Sequence, residues 1–112
     1  MTVPSAEDAD APTDGAVPPP VLDEDGLLRH LGRWVPISDA QLPIVRLLVA
    51  RFGRLVHATE VATACRDAGY AGTRAALRSL VHRVGVRVAD LGLELRAVHG
   101  GGLVLDVRRP SS

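Results

Sequence analysis

The sequence predicts an α+β domain: a small N-terminal β-meander, three helices and a C-terminal β-hairpin. Three observations carry that prediction. Short apolar pieces separated by Asp-Gly and Gly turns occupy residues 21–36. Apolar residues then recur at helical spacing in three segments between Ser38 and Leu91. An alternating run, Leu93–Ala97, and a largely apolar run, Leu103–Val107, flank a His-Gly-Gly-Gly tip, the pattern of a hairpin with a permissive turn.

A length of 112 residues is that of one domain. The formal charge of zero conceals a split. Residues 1–26 hold seven acids and no base, whereas residues 27–112 hold all thirteen arginines against six acids, a net of +7. There is no lysine. Residues 1–20 combine acids, Ala and a Pro-Pro-Pro run with little to bury, so they are expected to form a disordered acidic tail, with the folded domain at 21–109. One cysteine, Cys65, excludes an intramolecular disulfide and suits a cytoplasmic setting. No apolar run reaches the length of a membrane span, and no signal peptide is recognisable at the N-terminus.

Val21–Asp23, Leu27–His30 and Arg33–Pro36 form the meander, with Trp34 and Val35 on opposite faces. His30 carries no assigned role. Ser38-Asp-Ala-Gln41 matches a capping box, which predicts a first helix from Ser38 to about Phe52, buried through Ile44, Leu47, Leu48 and Phe52. Pro43 is then the fifth helical residue and should bend the helix. Leu55 and Val56 form an extended link. The second helix, about Ala58 to Ala68, buries Val61, Ala64, Cys65 and Ala68. Thr73 caps the third.

That third helix, from Thr73 to Leu91, organises the chemistry. Leu77, Val81, Val84 and Val88 make one apolar stripe, widened by Leu80 and Leu91. The other side carries Arg78, Ser79, His82 and Arg83, with Arg74 at the start and Arg87 on a flank, and no acid appears before Asp90. A basic outer face on an amphipathic helix suits an anionic surface, and a nucleic-acid groove has the right shape for one helix. The Gly-rich tip has neither the Lys-Ser/Thr pair nor the following helix of a phosphate-binding P-loop. Neither a nucleophile–base pair nor a metal-ligand spacing is present among Cys65 and the four histidines, so no enzyme, metal or cofactor is expected.

Helices two and three are joined by a tight turn, a helix-turn-helix arrangement, and the terminal hairpin is a wing. In order and spacing, GRWVPIS, QLPIVRLLVARFGRLV, ALRSLVHRVGVRVADLGLELRAV and HGGGLVL resemble the C-terminal winged-helix effector domain of OmpR/PhoB-type response regulators, over about residues 21–107. The resemblance implies a double-stranded DNA partner, transcription regulation and an association with phosphorelay signalling. The third helix would enter the major groove and the wing the adjacent minor groove. Arg83 matches an arginine that reads base edges, His82 one that grips phosphate, Ser79 a small residue that meets base methyls, and His99 the wing arginine. The link 69–72 matches a loop that touches RNA polymerase, and head-to-tail pairing on DNA is a family property.

The chain departs from that pattern at Leu80, where a phosphate-binding polar residue is common, at Gly85 in place of an arginine, at Leu103 in place of a tyrosine and at Arg78 in place of an acid. The matching region leaves no room for a receiver domain in these 112 residues, so the usual phosphorylation switch is not expected. The alternative from another class is a degenerate winged helix that binds proteins, its basic face meeting an acidic partner or the acidic tail.

Overall fold

A computed structural model describes residues 18–108; Arg109 and most of the expected tail lie outside them. The elements are β1 (Val21–Leu22), β2 (Leu27–His30), β3 (Arg33–Pro36), α1 (Leu42–Ala50), β4 (Leu55–His57), α2 (Ala58–Asp67), α3 (Arg74–Ala89), β5 (Leu93–Val98) and β6 (Gly102–Val107). They form two small antiparallel sheets, β1-β2-β3 and β4-β6-β5, around the three helices. The architecture is α+β.

In the meander, Leu28 pairs with Val35 across β2 and β3, and both are buried. Trp34 on the opposite face is 56% exposed, the alternation that a half-buried sheet imposes. Asp23 fixes the first turn. Its Oδ1 accepts the N–H groups of Asp25 and Leu27, and its Oδ2 accepts from Arg29. The Leu27 N–H, with help from Arg29, holds this carboxyl below the usual range. His30 is buried, with Nε2 3.2 Å from the Pro18 carbonyl oxygen, and Pro20 is fully buried. Packing therefore reaches back past Val21 to Pro20, and a backbone contact to Pro18.

The start of α1 departs from the capping-box expectation. Gln41 is the N-cap in helical geometry and makes no side-chain capping bond. Its side chain is buried. The Ser38 carbonyl accepts the N–H groups of Gln41 (2.9 Å) and Leu42 (3.1 Å), so a backbone turn replaces the box. The helix begins four residues after Ser38, and Pro43 falls in its first turn, where a missing N–H costs nothing. The expected bend has no cause. The helix ends at Ala50 rather than Phe52. Ile44, Val45 and Leu48 form the buried face, with Leu47 and Phe52 half-buried.

In α2, Val61 and Cys65 are buried and Ala64 is half-buried. Ala68 is the C-cap and exposed, not core as expected, because the helix stops at Asp67. Burial pushes the Cys65 thiol pKa up, as for an inert core thiol. Glu60 pairs with Arg51 and ties α2 to the end of α1, and the guanidinium holds the Glu60 carboxyl below its usual range.

The α3 helix packs against β5 and β3. Its buried residues are Leu80, Val84 and Val88, continued by Leu91. Leu77 and Val81 are only half-buried. The core stripe is thus rotated from the expected 77/81/84/88 line toward Leu80, because the helix is held from two sides. The link at Leu55-Val56 is a strand, paired with β6 as Leu55↔Val104 and Val56↔Leu103, and it turns the expected hairpin into a three-stranded sheet. Gly102 sits close to β4: a Cβ there would displace the tip of the Leu55 side chain and lie 3.0 Å from the Val56 carbonyl oxygen.

The rotation of α3 sets the cost of substitutions along it. Val84→Asp buries an unpaired carboxylate at a fully buried site, a cost of several kcal/mol that rivals the stability of a small domain, and should abolish the cooperative thermal transition. Val81→Asp should still fold, with a lowered midpoint. Equal losses for the two variants would place the core stripe elsewhere. Gly85 lies within α3, and a methyl group added at its Cα would meet open space. Gly85→Ala should therefore raise stability by roughly 0.5–1 kcal/mol in urea unfolding.

Candidate nucleic-acid interface

Thr73 starts α3 as expected: its Oγ1 accepts the Ala76 N–H at 3.2 Å. The six α3 residues singled out from the sequence, Arg74, Arg78, Ser79, His82, Arg83 and Arg87, are all exposed. His99 is exposed in the turn between β5 and β6, where Gly100 and Gly101 both take positive φ that other residues rarely adopt.

The burial pattern sets how these side chains are arranged. With about 100° per residue, the direction opposite Leu80, Val84 and Val88 is occupied by Ala75, Ser79, His82 and Val86. Arg74 and Arg78 flank that stripe on the side of the hairpin, and Arg83 and Arg87 flank it on the other. Arg78 and Arg83 are the inner members of the two rows; Arg74 and Arg87 are the outer. The face is therefore two arginine rows with an arginine-free strip between them. Val86, 55% exposed within this strip, is invisible to a search of the sequence for polar candidates.

The side-chain ion pairs among the described residues are Arg29–Asp23, Arg51–Glu60 and Arg96–Asp106. None engages α3. Its positive charge is thus not neutralised within the described fold, and the helix itself contains no acid. Arg33 Nη1 donates to the Asp90 carbonyl at 3.4 Å, placing a cation at the end of α3 where the helix dipole is negative.

Two further arginines border the face. The Arg66 side chain lies over the link before α3, where a Cβ on Gly72 would meet its Cγ at 2.8 Å. Arg108 follows β6, its N–H bonded to the Gly92 carbonyl at 2.9 Å, and it lines a shallow groove with His82. Arg66 was legible as a base in the last turn of α2. Arg108 was not, since its position depends on the strand pairing. Leu103, where the resemblance leads one to expect a tyrosine, is buried between the hairpin and α3.

A solved structure, the C-terminal domain of the nisin resistance regulator NsrR, described as a lantibiotic response regulator, superposes with a TM-score of 0.69 at 17% identity. The match covers 83% of this chain and 96% of that one. The chain has the fold of that domain. No family model matches the sequence, and no curated protein matches it. The structural likeness agrees with the fold that the sequence motifs implied. No described helix is long and apolar enough to cross a membrane.

Proposed function

We propose that this domain is a winged helix-turn-helix that binds double-stranded DNA as a transcription regulator. The observation that carries the reading is the acid-free outer face of α3, with arginines on both margins and none of them paired within the described fold. A helix seated in the major groove turns its outermost strip to the base edges and its margins to the two phosphate rows. On α3 that assigns Ser79, His82 and Val86 to the floor of the groove, so His82 moves from the phosphate grip that the resemblance implied to the base-facing strip. Arg78 and Arg83, the inner cations, reach toward bases; Arg74 and Arg87, the outer ones, reach phosphates. The β5–β6 hairpin is the wing, and His99 at its tip meets the neighbouring minor groove. The fold shared with the C-terminal domain of a response regulator supports this reading.

The outer and inner arginines should separate in their effects. Arg83→Ala should cost about 1–3 kcal/mol on a site selected from a random duplex pool and little on random DNA. Arg87→Ala should weaken both alike and lower the magnitude of the salt slope by about one. Fluorescence anisotropy at several salt concentrations measures both. Equal losses on selected and random duplex for Arg83→Ala would remove its base-reading role.

The acidic segment offers a second test. Deleting residues 1–17, and retaining the buried Pro20 and the Pro18 carbonyl that meets His30, should leave the melting temperature unchanged and tighten duplex binding at low salt. Acids ahead of a basic domain act as a weak internal competitor, which salt screens. Unchanged affinity at every salt concentration would show that the segment does not reach the basic face.

A further inference from the structure

A groove of about 410 Å³ lies between the first half of α3, the start of α2 and the hairpin. Its walls are apolar: Val61 of α2, Leu77 and Val81 of α3, and Ala97 and Leu103 of the hairpin. Arg74 and Arg78 stand on its rim, one helical turn apart on the same side of α3. No acid lines it, and neither arginine belongs to an ion pair among the described residues. Arg74 is the first residue of α3, at the positive end of its dipole, and Arg78 follows one turn later.

An apolar trough of this kind gives nothing to a phosphate, and a purely apolar ligand would leave both arginines unused. A volume of 410 Å³ is within the usual range for a small-molecule site, roughly 300–1,000 Å³. We propose that the groove binds a small organic acid with an apolar body, of the medium-chain carboxylate class. The chain lies along Val61, Leu77, Val81 and Leu103, and the carboxylate is held by Arg74 and Arg78, whose forked donors match its two oxygens. Where the DNA-binding reading also holds, the consequence is regulatory. The acid and the duplex compete for the same two arginines, so occupancy of the groove releases DNA.

Sodium decanoate, used below its micelle concentration, is the probe. Calorimetric titration into the full chain should show one saturable site per chain. Arg74→Ala/Arg78→Ala should weaken binding by about tenfold or more, as expected for loss of charged hydrogen bonds. Ala97→Leu fills the trough from an exposed strand position and should abolish binding with both arginines in place. Arg83→Ala, on the other margin, should leave decanoate affinity unchanged, and decylamine should bind more weakly than decanoate. Circular dichroism melts confirm that each variant is folded. The absence of a saturable site, or wild-type affinity in either the double variant or Ala97→Leu, would overturn the proposal. In a second arm, decanoate should weaken duplex binding by the wild type and not by Ala97→Leu. Retention of duplex affinity by decanoate-saturated wild type would overturn the competition. A chain that takes decanoate as described and binds no duplex would instead remove the DNA reading and leave the carboxylate site standing.

Discussion

The burial of Leu80, Val84, Val88 and Leu91 fixes the rotation of α3, and nearly everything functional depends on that rotation. Each fully buried aliphatic side chain contributes about 1.5–3 kcal/mol relative to exposure. Turning the helix to bury its arginines would add the cost of desolvating unpaired charge. The aliphatic residues therefore aim the polar ones. With Val84 and Val88 fully buried, Arg74, Arg78, Arg83 and Arg87 have nowhere to point but outward. Arg33 adds a contact from β3 to the Asp90 carbonyl at the far end of the same helix.

The second constraint is the β4-β6-β5 sheet. A hairpin alone would be marginally stable in water. Here β4 pairs with β6, so the hairpin is braced by the strand that leads directly into α2. Gly102 lies close against β4, where a Cβ would meet the tip of the Leu55 side chain and stand 3.0 Å from the Val56 carbonyl oxygen, and Gly100 and Gly101 take the left-handed turn that closes the tip. The sheet thereby holds His99, Ala97 and Val98 at a set distance from α3. That spacing leaves both the outward cationic face and the apolar groove beneath its hairpin-side margin.

Much of the fold was legible from side-chain periodicity. The alternation at Trp34-Val35, the Thr73 cap and the two strand-forming runs around the His-Gly-Gly-Gly tip are local patterns, and the structure has each, although β6 is buried continuously from Gly102 to Leu105 and Ala97 is exposed. The misses have physical causes. Ser38 and Gln41 satisfy the spacing of a capping box, but Gln41 is buried, and the backbone of Ser38 makes the turn instead. Pro43 was the clue, since a helix starting at Leu42 removes its awkwardness. Of the expected α3 stripe, Val84 and Val88 are fully buried and the flanking Leu80 and Leu91 are core, whereas Leu77 and Val81 are only half-buried; all six are equally apolar in sequence, and only the packing against β3 and β5 ranks them. Leu55-Val56 is too short to announce a strand, and its partner is distant in sequence. The candidate interface was legible as a set of exposed bases. Its division into two rows with Val86 between them was not, because that division depends on the rotation.

If the outer face of α3, with the hairpin beside it, is an electrostatic surface for duplex DNA, the salt dependence of binding tests it most directly. The measurement uses the intact chain and a labelled duplex. With the four α3 arginines engaging phosphates and base edges, the logarithm of the association constant should fall linearly with the logarithm of salt concentration. The slope should be about −2 for the outer pair alone and steeper as further contacts add. No binding at the lowest salt, a slope near zero, or tighter binding to polyglutamate than to duplex at equal salt would contradict it.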